Sequence, residues 1–361
     1  QTGKPVKMAT IKDISQKLGI SHATVSYVLN GRAEQFKIRQ DVCRKVLETA
    51  KELGYVRNSL ARSMVTGRSN TIGFVINSGM GTEFVQRITG GILQAVDQYD
   101  FSLKLFDTAT LSKSSVIHRL REQQITGVIL HHPDIHVLIP WLKELKGLDV
   151  PCGIVNMRND TGIGHGVISD DIRGTKDAVH YLVSLGHTKI AHLTADVLWD
   201  YVRERETGYR QGMEEIPACR PHIIRIGLYG FGSNLKLLKR FLSGKKDRPT
   251  AVVCDSDYHA LELFQAAYQL NIKVPDELSI IGFGGLSPAK YSAVPLTTVE
   301  QPFEQIGFEA ARMLLEHITT QKVIDGRNII LQNSLALADS CAMPSAMQHH
   351  KKNNRKGKEF S

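Results

Sequence analysis

The stretch Ala9–Asn30, ATIKDISQKLGISHATVSYVLN, decides how the N-terminal part of this chain folds. Thr10 is a good N-cap, because its hydroxyl can accept an orphan amide of a first helical turn. Ile11, Ile14 and Leu18 fall on one face of that helix. Gly19 supplies the turn, where a positive φ costs little. Ser21 caps a second helix, His22–Leu29, on which Val25, Val28 and Leu29 sit three or four residues apart and can pack inward. His22, Ala23, Ser26 and Tyr27 are left on the outer face. A short helix with a small polar face, wedged against another at a fixed angle, can enter a DNA major groove. The same pattern also suits an ordinary helical hairpin of a globular domain.

Outward from this stretch, the loop GRAEQFK offers Arg32 and Lys37 to phosphates. A third helix is expected from about Arg39 to Leu53. Its apolar stripe, Val42, Val46, Leu47 and Ala50, can close a three-helix core with Ile14 and Val25. Gly54 stops that helix and Tyr55 can pack back onto the core. Next comes RNSLARSMVTGRSN, where Asn58 or Ser59 can cap a helix over Leu60–Val65 that ends at Gly67. So short a helix needs a partner, either a symmetry mate or DNA.

From Asn70 the composition changes. TIGFVIN is a continuous apolar strand, as in a parallel sheet buried on both faces. Strand-like runs follow at Ser102–Asp107, Gly127–His131, Cys152–Asn156, Gly166–Ser169, Ile190–Thr194, Ile223–Ile226, Ala251–Cys254 and Leu278–Gly282. Amphipathic segments alternate with them at Phe84–Tyr99, Ser114–Gln124, Gly174–Leu185, Arg205–Glu214, Leu235–Leu242 and Tyr258–Gln269. This alternation predicts an α/β body of two doubly wound parallel-sheet subdomains with a cleft between them, behind an all-α head.

The 361 residues suffice for two or three domains. The net charge of +9 is segregated. Residues 1–70 hold 13 Lys/Arg against 5 Asp/Glu, and residues 345–361 hold 5 against 1, so the large middle is slightly acidic. A basic head on a near-neutral body is the electrostatic layout of a nucleic-acid-binding regulator. No apolar run is long enough to span a membrane, and QTGKPVKMAT lacks the apolar core of a secretory signal, so a cytoplasmic location is expected. Cys43, Cys152, Cys219, Cys254 and Cys341 form no CxxC pair and read as free thiols.

Several motifs together resemble the lactose/galactose repressor (LacI/GalR) family of bacterial transcription regulators. They are TIKDIS…LGIS.ATVS.VLNG, ELGY, NSLARSM, SNTIGFVI, SDDIRGTKDAVHYLVSLGHTKIAHL, the R-x-x-G-Y of Arg205–Tyr209, VPDELSIIGF and PLTTVEQP. The resemblance runs from residue 9 to about 340. It implies a helix-turn-helix head over 8–56, a hinge over 57–69 and an effector-binding and dimerisation body over 70–341. It further implies an N-subdomain of about 70–167 plus 297–325, and a C-subdomain of about 168–296 plus 326–341, of the type I periplasmic-binding-protein-like fold. The basic segment 342–361 is expected to be disordered.

The resemblance also implies a function. A homodimer would bind double-stranded operator DNA, and a small-molecule, carbohydrate-like effector between the subdomains would control it. On the recognition helix, His22, Ala23 and Tyr27 match major-groove readers, while Thr10, Ser21, Thr24, Ser26 and Asn30 match phosphate contacts. Many relatives carry Arg where Tyr27 stands, the loop before the third helix is a few residues longer than in the shortest relatives, and Val42-Cys43 replace Thr-Arg. In the hinge, Asn58 and Ala61 match the groove floor and Met64 matches a minor-groove wedge. In the effector pocket, Phe84, Asn156, Arg205, Tyr229 (or Phe231), Ser256 and Gly284 match ligand positions. Gly282–Gly285 reads GFGG where the family reads GFDD, and Asn156 stands where Asp is common, so the pocket lacks two expected carboxylates. That points away from a simple sugar, toward a larger, less polar or anionic ligand, or none.

Alternatives are a regulator controlled by a partner protein and a solute-binding protein. The basic head argues against the latter. His131, His132 and His136 follow a strand without partnered acids and read as structural, so no metal is expected. No cofactor or catalytic constellation is evident, so an enzyme is not expected. Asp170 and Asp171 read as subdomain-joining or helix-capping residues.

Overall fold

The computed structural model describes residues 9–29, 31–55, 69–77, 83–216, 220–228, 234–244 and 248–345, and divides the chain at Ser69/Asn70 into a head and a body. The head is three helices: α1 (Ile11–Leu18), α2 (His22–Leu29) and α3 (Gln40–Glu52). The start of α1 carries a capping box. The Thr10 hydroxyl accepts from the Asp13 amide, and the Asp13 carboxylate accepts from the Thr10 amide at 2.7 Å. Gly19 ends α1 in the left-handed region at φ 64°. The Ser21 hydroxyl accepts from the Thr24 amide at 3.1 Å and so caps α2. Ile14, Val25, Val28, Leu29, Val46 and Ala50 form the buried core, closed by Ile38, Leu53 and Tyr55 among others. One expectation fails here. Leu47 is 55% exposed, and Thr49 is buried in the stripe instead.

The body contains two six-stranded sheets. The first runs β11 (Asn328–Leu331), β5 (His165–Ser169), β4 (Cys152–Val155), β3 (Gly127–Leu130), β1 (Thr71–Ile76), β2 (Ser102–Asp107), with every neighbour parallel. The second runs β12 (Ser334–Ala336), β10 (Thr297–Glu300), β9 (Ser279–Gly284), β8 (Ala251–Cys254), β6 (Ile190–Ala195), β7 (His222–Ile226), and only β12 is antiparallel to its neighbour. The helices that cover them are α4 (Glu83–Gln98), α5 (Lys113–Glu122), α6 (Ile135–Gly147), α7 (Asp171–Ser184), α8 (Asp200–Glu214), α9 (Leu235–Ser243), α10 (Asp257–Gln269), α11 (Ser287–Tyr291) and α12 (Phe303–Thr320). Apolar clusters lie on both faces of each sheet. This explains why β3, β4 and β8 are buried along their whole length and read as continuous apolar runs.

The strand membership corrects the expected partition of the body. The strand at 297–300 belongs to the second sheet and the strand at 328–331 to the first. The chain therefore crosses between subdomains three times, at 169–171, 300–303 and 331–334. α6 was not anticipated, because Pro140 lies inside it and removes one i→i−4 hydrogen bond. Asp134 caps that helix by accepting from the His136 amide at 2.9 Å.

α4 and α12 cross backbone to backbone. A methyl group on Gly91 would overlap the Glu304 carbonyl, and one on Gly307 would overlap the Ile88 carbonyl. A second correction concerns the C-terminus. Residues 342–345 are bonded to the second subdomain, with the Ala342 carbonyl accepting from His187 at 2.8 Å and the Ser345 hydroxyl donating to the Asp276 carbonyl at 3.1 Å. The remaining tail lies outside the described residues. No helix among the described residues is long and apolar enough to cross a membrane.

Candidate functional site

On the head, His22 and Ala23 are exposed and Thr24, Ser26 and Tyr27 are partly exposed. The Thr10 hydroxyl is engaged within its own helix terminus, donating to Asp13 at 2.7 Å, and the Ser21 and Thr24 hydroxyls bond each other at 2.8 Å. The Tyr27 ring stacks on Phe36, with centroids 3.7 Å apart and planes at 8°. Asn30 lies outside the described residues, as do Asn58, Ala61 and Met64.

In the body, a cavity of about 420 Å³ opens between the two sheets. Phe84, Asn156, Arg205, Ser256 and Gly284 all line it, although they come from five separate segments of the chain. Tyr229 lies outside the described residues. The sequence did not single out Trp199, Tyr201, Tyr258, Phe283 or Phe303, and these give the wall its aromatic character. A helical projection holds part of the missing signal, since Tyr201 precedes Arg205 by four residues and shares its face.

Arg205 is the organising group of the wall. It is 5% exposed, and its guanidinium lies 3.8 Å from the Phe283 ring centre. Nε donates to Asp171 at 2.8 Å, Nη1 to the Asp255 carbonyl, and Nη2 to Gln301 Oε1 at 3.1 Å. Asp171 is itself the meeting point of the three crossovers. It accepts from the Ser169 hydroxyl at 2.7 Å, from Gln301 Nε2 at 3.3 Å and from Asn333 Nδ2 at 3.3 Å. Asp170 caps α7 by accepting from the Arg173 amide at 3.1 Å. These bonds fit the joining and capping reading of the two aspartates. They also mean that Arg205 meets the cavity with its polar atoms already bonded.

The missing acid at Gly284 has a physical reason. Asp257, fully buried on α10, accepts from the Thr298 hydroxyl at 2.6 Å and the Leu286 amide at 2.7 Å. A side chain on Gly282 would overlap that carboxylate, and Gly284 sits at φ 127°, a conformation that suits glycine. Burial pushes the Asp257 carboxyl up to about 6 against those hydrogen bonds. The cavity carries no carboxylate at Asn156 or Gly284, and its acids are instead Asp171, Asp200 and Glu204. Burial, reinforced by Asp171 and opposed by Arg158 and Arg205, pushes the Glu204 carboxyl up to about 7. Burial and His132 push His131 down to about 4, which leaves it a neutral wall group packed on Phe84. Among the described residues, no cluster of His, Cys, Asp and Glu is arranged to hold a metal ion.

The mouth of the cavity is bridged. From the first turns of α4, Glu83 accepts twice from the Ser287 amide at 2.9 Å, and Arg87 donates to the Gly285 carbonyl at 3.2 Å. The GFGG segment is thereby held from both subdomains.

Residues 10–58 match the family described as bacterial regulatory proteins, lacI family, and residues 179–341 match the periplasmic binding protein-like domain. The HTH-type transcriptional repressor PurR of Vibrio campbellii is 30% identical over 86% of this chain and 92% of its own. The HTH-type transcriptional regulator RegA of Clostridium saccharobutylicum is 30% identical over 92% of this chain and 99% of its own. Among solved structures, the Lac repressor dimer bound to operator and the anti-inducer ONPF superposes with a TM-score of 0.75 at 25% identity, covering 93% of this chain and all of that one. With a helix-turn-helix head and a cavity between two parallel-sheet subdomains, the chain belongs to the LacI family of DNA-binding transcriptional regulators.

Proposed function

We propose that this regulator is a repressor whose grip on operator DNA is set by a small, neutral, ring-bearing metabolite of carbohydrate-like type, bound between the subdomains. The observation that carries this reading is the cavity itself, where an aromatic wall meets a polar network. Stacked rings suit the apolar faces of a sugar or similar ring, and the carbonyl, amide and hydroxyl groups around them suit its hydroxyls. The bonding of Arg205 to Asp171 and Gln301 argues against an anionic ligand, since the guanidinium is not left open as a fork.

In this reading His22, Ala23 and Tyr27 face base edges, while Ser21, Thr24, Ser26, Asn30 and the amide end of α1 at Thr10 meet phosphates. Asn58, Ala61 and Met64 enter the minor groove as part of a homodimer in the cytoplasm. Phe84, Asn156, Ser256, Tyr229 and the backbone at Gly284 surround the effector. Its binding shifts the angle between subdomains about the three crossovers, and linkage transmits that shift to operator affinity.

The test is a thermal-shift panel on the full chain with neutral mono- and disaccharides, nucleosides and sugar phosphates, followed by operator anisotropy with each hit. A neutral ring compound that raises Tm and changes operator Kd on the order of tenfold is expected, a coupling of ordinary size. Stabilisation by sugar phosphates alone overturns the neutral-ligand reading. A panel in which no hit alters operator affinity points to control by a partner protein.

A further inference from the structure

The loop after the recognition helix is built to hold one aromatic side chain in a fixed place. α2 ends in a Schellman motif: Gly31, at φ 69°, donates to the Val28 carbonyl at 3.1 Å and the Arg32 amide to the Tyr27 carbonyl at 2.9 Å. The loop is then pinned at two points. Ala33 and Ile38 pack on the head core, and the Ile38 amide donates to the Ala33 carbonyl at 2.8 Å. Between these pins the chain turns through Lys37 at φ 51°, and Phe36 is left 44% exposed outside the core cluster. Its partner is the Tyr27 ring on the outer face of α2, in near-parallel contact. Among the described residues the Tyr27 hydroxyl meets no hydrogen-bond partner.

The head gains little stability from placing two aromatic rings on its surface. The pair is worth ~1 kcal/mol, and any long polar side chain would shield the same surface. What the stack does is lock the phenol. A tyrosine on an exposed helix would otherwise sample several rotamers, and holding it in one reduces the cost of ordering on binding. Arg32 and Lys37, exposed on either side of Phe36 in the same loop, supply positive charge that draws a phosphate backbone to this part of the head.

We propose that Phe36 is a positioning residue for operator reading: stacked on Tyr27, it makes the two rings one unit that selects a thymine-bearing base pair in the major groove. This rests on the reading of α2 as the recognition helix. The chemistry favours thymine over guanine. Two stacked rings offer apolar edges for the C5-methyl group and one phenolic hydrogen bond, but no bidentate donor for the O6 and N7 of guanine.

The experiment is selection of binding sites from a randomised duplex library with the full chain, comparing wild type with F36A, F36L, F36Y and Y27A. Affinity for a nonspecific duplex and the thermal unfolding of each variant are measured alongside. F36A and Y27A should lose base preference at the same positions, a T·A pair, and lose on the order of tenfold affinity for the wild-type site. Nonspecific affinity should stay within about twofold, because phosphate contacts carry it. F36L keeps apolar volume without a flat ring and should behave like F36A, which separates loss of the stack from loss of fold. F36Y should keep the wild-type preference. An unchanged preference in F36A and F36L overturns the proposal, as does a loss at positions that Y27A leaves untouched, or a shared position that selects G·C. A wild type that selects no site at all would overturn the recognition-helix reading instead.

Discussion

On the head, His22 and Ala23 stand exposed on the outer face of α2, and the Tyr27 hydroxyl meets no hydrogen-bond partner among the described residues. In the cavity wall, Arg205 is buried and all three of its nitrogens are bonded within the chain. The two regions both recognise something, but they hold their recognition groups in opposite ways. A protruding group can be exchanged with little effect on folding, so a single substitution such as Tyr27 can rewrite which bases are read. A convergent group is part of what holds the subdomains together. Changes there come in sets, as where Gly282 and Gly284 leave room for the carboxylate of Asp257.

The largest test of this contrast is Arg205→Leu. Removing the guanidinium leaves Asp171 buried without its counter-charge, and a loss of about 3–5 kcal/mol is expected in denaturant unfolding of the body. A loss below ~1 kcal/mol would place Arg205 among the freely exchangeable groups and erase the distinction. Gly284→Asp introduces the acid that the motif GFDD would place there. It forces a side chain onto a backbone at φ 127°, with Asp257 Oδ2 only 3.3 Å from the new Cβ. A loss of roughly 1–3 kcal/mol is expected, and a stable variant with tighter monosaccharide binding in calorimetry would break the account of GFGG.

Thr10→Ala removes the capping box of α1. It should cost about 1 kcal/mol in the unfolding of the head while the transition of the body stays put. The smallest expected effect concerns Glu204→Gln. The Glu204 carboxyl holds its proton up to about 7 in the folded chain against an ordinary 4.5. The folded chain therefore binds more protons than the unfolded one between those values. Stability falls as pH rises through that window, and the full loss is present above it. Tm measured against pH should decline less steeply for E204Q between pH 4.5 and 7. Identical slopes would show that this carboxyl titrates normally.

The same contrast explains what could be read from the sequence. The head was legible because its signals are local: Thr10 and Ser21 at caps, Gly19 at the turn, and Val25, Val28 and Leu29 on one face. Even there, Leu47 and Thr49 exchanged roles, since both sit near the edge of the apolar stripe on α3 and the packing of the other helices decides which is covered. Phe36 gave no periodic signal, because its partner Tyr27 lies across a loop. The alternation of strands and helices exposed the body fold, but strand neighbours are a long-range property. The strands at 297–300 and 328–331 were exchanged between subdomains for that reason. The cavity was legible only where a motif marked it. Gln301 stands inside PLTTVEQP, whereas Trp199 stands in no quoted pattern and Tyr258 only opens an amphipathic segment.

The three crossovers have a consequence for how the body is made. The first sheet is begun by Thr71–Ile76, yet its covering helix, Phe303–Thr320, and its edge strand, Asn328–Leu331, leave the ribosome only after β6 to β10 of the second sheet. Phe303, Ile306, Ala310, Ala311, Leu314 and Leu315 all pack into the cluster on that sheet. The nascent first subdomain must therefore carry an open apolar face while five of the six strands of the second sheet, β6 to β10, are synthesised. During that interval it is a natural client for a chaperone.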